Sequence, residues 1–214
     1  MKGVNNMGFE VVIVRHGETD YNLTNTIQGQ TDIPLNENGI KQAQLVAERL
    51  KGENFTRIYS SDLSRAMVTA EIIALGHEIV PDRRLREWLL GDWQGKTVAE
   101  IEKMSPGGFR AAINDPDSKV PNGESSNDIL MRVNDFVKDL TQNHTEGKIL
   151  IVSHGGAIRK MFHVFMGLHN TFTELPQVDN TSVCRLVYRT DHWRMICWND
   201  TSHLTGSELM GTRY

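Results

Sequence analysis

The apolar positions of the chain fall into short dense runs and longer periodic stretches, separated by polar punctuation. Phe9-Glu10-Val11-Val12-Ile13-Val14 is a β-branched run, read as a buried strand ending at Arg15-His16-Gly17. The polar sequence from Glu18 to Thr31 is predicted as loop. Pro34-Leu35-Asn36 leads into a helix, because Ile40, Ala43, Val46, Ala47 and Leu50 recur at helical spacing and Gly52 follows the last of them. Arg57-Ile58-Tyr59-Ser60 reads as a second strand, a helix is predicted from Asp62 to Ala74, and Val80 marks a third, weaker strand. Thr97-Val98-Ala99-Glu100 has the capping-box pattern that opens a helix. Pro106, Gly107, Gly108, Pro116 and Pro121 break up the stretch from Ser105 to Gly123, predicted as surface loop that covers a site. A longer helix is predicted from Ser125 to Gln142. Lys148-Ile149-Leu150-Ile151-Val152 is a strong buried strand that ends at Ser153-His154-Gly155-Gly156, with another helix after it. Ser182–Tyr188 and Trp193–Trp198 pattern as a closing hairpin.

Strand and helix alternate along the chain. The predicted fold is therefore a single α/β domain with a mostly parallel central sheet and helices on both faces. The 214 residues, 39% hydrophobic and 23% charged, can bury a core without disulfide or metal staples. Cys184 and Cys197 are too few for a disulfide framework or a multi-cysteine zinc site. A hairpin centred on Thr190-Asp191 would set them opposite each other as reduced thiols. Residues 1–8 do not read as a signal peptide and are expected to be a short flexible leader, followed by the domain at 9–205 and a tail at 206–214. No segment has the apolar length needed to span a bilayer, and the expected location is cytoplasmic. The formal net charge of −4, without any Lys/Arg run, argues against nucleic acid as a partner. An anionic ligand would have to be drawn by local arginines.

Two buried strands each end in His-Gly, at His16-Gly17 and His154-Gly155. Ligands of open α/β sheets bind beyond the carboxyl ends of the strands. Histidines at two such ends are therefore expected to converge on one pocket, although far apart in sequence. A single His-Gly is more often an ordinary turn; the pair, with Arg15 adjacent, is not. His77, His144, His163, His169 and His192 have no such setting and are expected to be structural or exposed, and Met104 and Met131 to be core.

Companion motifs carry a family resemblance. Arg15-His16-Gly17-Glu18-Thr19 with Asn22, then Pro34-Leu35-Asn36-Glu37-Asn38-Gly39 leading to Gln42-Ala43, resemble the first block of the phosphoglycerate mutase-like histidine phosphatases. Ser60-Ser61-Asp62-Leu63-Ser64-Arg65-Ala66 with Thr69-Ala70-Glu71 is similar to the second. Leu85-Arg86-Glu87 before Gly91-Asp92-Trp93-Gln94-Gly95 resembles the block that holds the acid; Gly123-Glu124-Ser125 and Ser153-His154-Gly155-Gly156 resemble the last two. The blocks occur in order from about residue 9 to 205, and their order makes the resemblance specific.

The resemblance implies a phosphoglycerate mutase-like fold and a small-molecule phosphate ester as partner, with no cofactor and no metal. It makes His16 the nucleophile and Glu87 the general acid, with His154 as the second histidine of the site. It assigns Arg15, Arg65 and Asn22 to the phosphate, and the Gly155 N–H, at a helix start, is a further donor. Guanidinium forks match phosphate oxygens and stay charged. Gln28, Gly29 and Arg86 are weaker candidates for the substrate pocket, as is the Trp88–Trp93 segment. Arg83, Arg84 and Arg86 either read a second anion or form a solvated cluster, and an exposed salt bridge to one of them is the alternative for Glu87. Glu18 and Glu124 are expected to be supporting, not catalytic, and Ser202-His203-Leu204 resembles a tail that in some relatives is a candidate to fold back toward the pocket. The compact stretch from Glu87 to His154 favours a hydrolase. The alternatives are a mutase, a non-catalytic phospholigand binder and a metal phosphatase; for the last, no HExxH, EF-hand or P-loop motif is present.

Overall fold

The computed structural model describes residues 8–170 and 175–206, apart from the Ile113 side chain. Thus 1–7 of the expected leader and 207–214 of the expected tail lie outside the described residues, whereas Gly8 already pairs with Arg189 in the first strand.

A six-stranded sheet forms in the order β3-β2-β4-β1-β5-β6. Its strands are β1 (Gly8–Arg15), β2 (Arg57–Ser60), β3 (Val80–Pro81), β4 (Lys148–Ser153), β5 (Val183–Arg189) and β6 (His192–Asp200). The first four are mutually parallel, and β5 and β6 add an antiparallel edge. Thr190 and Asp191 both take positive φ (51° and 67°) in the turn between β5 and β6, as a two-residue hairpin loop requires.

The strand period of two sorts the core into two layers. Val11, Ile13, Ile149 and Ile151 face a layer built with α6 (Ser126–Asn143) and α7 (Gly155–Met166). Val12, Val14, Leu150 and Val152 face the opposite layer, built with α2 (Glu37–Arg49) and α3 (Ser64–Ala74). All eight side chains are fully buried, and each such burial stabilises the fold by roughly 1.5–3 kcal/mol. A smaller cluster of Ile27, Trp93, Ile101, Ala112 and Val120 lies under α4 (Val98–Met104) and α5 (Gly108–Asn114).

Several elements depart from the sequence reading. The expected loop 18–31 contains α1 (Asp20–Leu23), a single turn held by a reciprocal cap between Thr19 and Asn22. The expected loop 105–123 contains α5, entered through Gly107 at φ 72°. The helix expected from Asp62 begins at Ser64. Met104 and Met131, expected in the core, are exposed. Cys184 does not face Cys197. Leu186 pairs with Met195 but Arg185 with Cys197, so β6 carries one extra residue, Ile196, at that point, and both thiols are free.

Candidate active site

Parallel pairing of β1 and β4 aligns Arg15 with Ser153, so the two strands finish side by side. The His16 N–H donates to the Ser153 carbonyl at 2.9 Å, and the rings of His16 and His154 lie 5.1 Å apart at 56°. Gly17 turns the chain so closely past α2 that a Cβ there would sit 2.4 Å from the Gly39 carbonyl oxygen. This contact requires glycine at the turn after His16.

His16 is 2% exposed, and its Nδ1 is 2.6 Å from the Gly17 carbonyl oxygen. A carbonyl only accepts, so Nδ1 carries the proton and Nε2 the lone pair. Burial, then the charges of Arg65 and Arg15, hold the imidazole well below its ordinary pKa, so it is neutral at physiological pH. His154 is fully buried. Its Nε2 lies 2.8 Å from Ser61 Oγ, whose hydroxyl is able to donate to that nitrogen while it accepts from the Leu63 N–H at 3.3 Å. Its Nδ1 has no hydrogen-bond partner among the described residues. Burial and the nearby Arg65 likewise hold His154 well below the ordinary value.

Two guanidinium groups flank the histidines. Arg15 donates to the Val178 carbonyl at 2.7 Å. Arg65 donates to the carbonyls of Gly29 (2.8 Å) and Thr31 (2.9 Å), and its Nε is buried without a hydrogen-bond partner among the described residues. Burial brings its pKa down to about 10, which leaves it charged at neutral pH. No carboxylate pairs with Arg65 among the described residues. A buried charge without a counterion costs several kcal/mol, and a bound anion offsets that cost.

Asn22 spends its side-chain oxygen on the Thr19 N–H and the Asn180 amide, which leaves its own NH₂ as donor. Gly155 opens α7, where the first N–H groups lack helical acceptors. His16, Arg15, Arg65, Asn22, Gly155, Gln28 and Gly29 all line one cavity of about 390 Å³, with Glu87, Trp88, Leu90 and Trp93. The Glu87 carboxylate accepts from the Trp88 N–H at 2.8 Å and the Gly156 N–H at 3.0 Å. A Cβ on Gly156 would meet that carboxylate at 2.3 Å, so any side chain there would push the Glu87 carboxylate aside.

Arg86 does not line the cavity, contrary to expectation. Its guanidinium is bound by Asp62, through Nε at 2.6 Å and NH2 at 2.7 Å. Arg84 is likewise held by Asp82, Asp135 and Asp139, and the exposed Arg83 lies 3.5 Å from Asp62. The arginine cluster is therefore structural, and none of its members pairs with Glu87. Glu124 supports the loop beyond Glu87: it binds Arg132 and the Leu89 N–H, while Arg132 donates to the carbonyls of Arg84, Arg86 and Glu87. Glu18, 1% exposed, accepts from Asn36 at 3.0 Å. His203 does not reach the cavity; it lies between Arg49 and Thr181, at 3.2 and 3.3 Å. Sequence reasoning missed Ser61, Arg132, Phe109, Arg159 and Lys160; the last three line the cavity. Arg159 and Lys160 carried a usable signal, since each lies four residues after one of the two helix-opening glycines. Among the described residues no group of three or more His, Cys, Asp or Glu is arranged to hold a metal ion, and no helix is long and apolar enough to cross a membrane.

The neutral histidines make stability depend on pH. Burial also lowers His203, to about 4. Below 6.5 the unfolded chain binds protons that the folded chain refuses, so stability is lost as pH falls from 6.5 toward the folded values. Urea unfolding between about pH 7 and 5 is expected to show this loss, with a slope approaching ~1.4 kcal/mol per pH unit for each histidine. A flat profile would contradict the neutral assignment.

Comparison with known proteins agrees with this geometry. "Phosphoglycerate mutase-like protein 4" of Arabidopsis thaliana is 39% identical over 202 residues, covering 91% of this chain and 86% of the relative. The solved mycobacterial glucosyl-3-phosphoglycerate phosphatase superposes with a TM-score of 0.84 at 33% identity, over 91% of this chain and 100% of that one. A phosphoserine phosphatase from Entamoeba histolytica, solved with 3-phosphoglyceric acid, gives 0.81 at 32% identity, over 92% and 100%. Residues 11–201, which include both histidine turns and all or part of every strand of the sheet, match the family described as histidine phosphatase superfamily (branch 1), and the chain belongs to that family.

Proposed function

We propose that this chain is a metal-independent phosphoric monoester hydrolase that works through a phosphohistidine on His16. The observation that carries the reading is the pairing of a neutral His16, its Nδ1 committed to Gly17, with a buried Arg65 that has no acidic partner among the described residues. A phosphate monoester is largely dianionic at neutral pH, so its transfer needs a lone pair and fixed positive charge around its oxygens.

In the first step His16 Nε2 attacks phosphorus and the P–O ester bond breaks. Glu87, entering protonated, gives its proton to the leaving alkoxide. Arg15, Arg65, the Asn22 amide and the Gly155 N–H hold the equatorial oxygens, and His154 donates from Nδ1. In the second step Glu87, now a carboxylate, takes a proton from water as the water oxygen attacks phosphorus. The P–N bond breaks, its electron pair returns to Nε2, and Glu87 is again protonated. The guanidinium groups supply the charge neutralisation that a metal supplies in other phosphatases.

The names of the two solved neighbours support hydrolysis, and the name of the Arabidopsis relative favours the alternative, transfer to a second hydroxyl. A panel of phosphate esters, assayed for released phosphate with and without a bisphosphate primer and with EDTA, separates the readings. We expect release without primer, unchanged by the chelator. Dependence on primer with little free phosphate would establish the mutase, and loss of activity in EDTA would overturn the metal-free mechanism. Binding without turnover would identify a phospholigand-binding protein. We also assign the protein to the cytoplasm, supported by two free thiols and the lack of a bilayer-length helix among the described residues.

A further inference from the structure

Lys160 is only 7% exposed, and no carboxylate pairs with it among the described residues. Burial brings its pKa down to about 8, so the ammonium is the form present at neutral pH. A buried cation without a counterion is costly, and the half-buried Arg84, Arg86 and Arg132 each bind a carboxylate directly. Lys160 reaches one indirectly. Its Nζ donates to Ser126 Oγ at 2.6 Å and to Asn170 Oδ1 at 2.8 Å. Asn170 Nδ2 donates to Asn127 Oδ1 at 2.6 Å, and Asn127 Nδ2 donates to the exposed Asp117 at 2.6 Å. A line of hydrogen bonds thus runs from a buried cation through two amides to a surface carboxylate.

The direction of that line is forced. An ammonium only donates, a carboxylate only accepts, and a carboxamide has one end of each kind. With Asn170 Oδ1 turned to Lys160, its NH₂ must point to Asn127, whose own NH₂ must then point to Asp117. The Ser126 hydroxyl donates to the same Asn170 oxygen at 3.3 Å, which fixes the orientation a second time. Bonds aligned in one sense polarise one another.

The line joins four parts of the chain. Lys160 lies in α7, Ser126 and Asn127 open α6, Asn170 follows α7, and Asp117 lies three residues beyond the last residue of α5. The Asn127 N–H also holds the Pro116 carbonyl at 2.9 Å. α5 is a seven-residue helix whose Phe109 and Ala112 wall the cavity. The other nearby fastening, Lys119 to Asp128 at 3.0 Å, is largely exposed and contributes little. Phe109 and Ala112 pack with Ile27 and Trp93, away from the strand ends that carry the histidines. They offer only apolar contact, which suits the alcohol part of an ester and not its phosphate.

We infer that Lys160, Asn170, Asn127 and Asp117 form a relay that holds the α5 wall against the cavity, and that Asp117, at the surface, is a positioning residue for the alcohol part of the substrate. The inference rests on the hydrolase reading only for which part of the substrate meets α5.

The test compares Asp117→Asn, Lys160→Met and the double variant; the two side chains are joined only through the amides. Amide hydrogen exchange over residues 108–114 reads the wall without any turnover. It is expected to be about 10-fold faster in either single variant and no faster in the double variant, because the relay is already cut. Asp117→Glu is expected to retain part of the protection. Thermal melts check that each variant folds, and Asn170→Ala replaces Lys160→Met in the cycle if the latter does not. Multiplicative effects in the double variant, or wild-type exchange in folded Asp117→Asn, overturn the relay. Kinetics read the function. n-Hexyl phosphate carries an alcohol long enough to reach α5, and methyl phosphate does not. The ratio of their kcat/KM values is expected to fall by about 10-fold in Asp117→Asn, mainly through the KM of the hexyl ester. General destabilisation would lower both esters together. An unchanged ratio overturns the positioning role. Absence of turnover of both esters by the wild-type chain would instead overturn the hydrolase reading, and the exchange cycle would still decide the relay.

Discussion

His16→Ala is expected to lower phosphate release by about 10⁴-fold or more, because removal of a covalent nucleophile leaves only the electrostatics and binding of the site. The geometry makes the loss specific. His16 presents an imidazole whose Nδ1 proton is fixed by a neighbouring carbonyl at 2.6 Å, and whose charge is suppressed by burial and by Arg65 and Arg15. His154 cannot substitute, since its Nε2 is engaged by Ser61 and its Nδ1 is the atom left to donate. The variant should still bind inorganic phosphate, because Arg15, Arg65 and the start of α7 are untouched. Rapid quenching with a ³²P-labelled ester should give an acid-labile, base-stable label on the wild-type chain and none on His16→Ala. Hydrolysis at the parental rate, or a label that persists in the variant, would remove His16 from the mechanism.

The convergence of the two histidine turns was readable because it hangs on the two most hydrophobic strands. Val11–Val14 and Ile149–Val152 are unbroken buried runs, and a parallel pair in which Arg15 meets Ser153 necessarily brings the following residues together. Elements with weaker periodicity were lost. A single-turn helix such as α1 has no apolar period to detect, and its cap uses Asn22 where the familiar pattern has Glu or Gln. α5 hides among prolines and glycines, yet Phe109 and Ala112 help to wall the cavity. Charge was the least legible layer. Arg86, beside Glu87 in sequence, is neutralised by Asp62 from the segment before α3, whereas Arg159, distant from every acid-bearing motif, faces the cavity. Ion-pair partners are set by the tertiary fold, so local sequence could not separate a structural arginine from one that faces the ligand. The same limit applies to Cys184 and Cys197, where a one-residue register shift defeated a correct hairpin assignment.

Glu87→Gln should produce the second large effect, and one that depends on the leaving group. An alkyl ester departs as a strongly basic alkoxide and needs a proton in the transition state, so its kcat/KM is expected to fall by about 10²–10⁴-fold. p-Nitrophenolate leaves without protonation, so phosphorylation of His16 by p-nitrophenyl phosphate should be far less affected. Dephosphorylation still requires a base for water. The variant should therefore release a rapid burst of nitrophenolate, about one equivalent per chain, followed by slow turnover. The substitution is nearly isosteric, but the site will register it. The carboxylate accepts backbone N–H bonds from both Trp88 and Gly156, whereas the amide oxygen can keep only one and turns its NH₂ toward the other donor. This displacement acts on both classes of ester, while the proton deficit acts on alkyl esters alone in the first step. The ratio of alkyl to aryl rates therefore isolates the acid role from the structural one. Equal losses on both esters, with no burst, would reduce Glu87 to a residue that caps α7 and would require another proton donor.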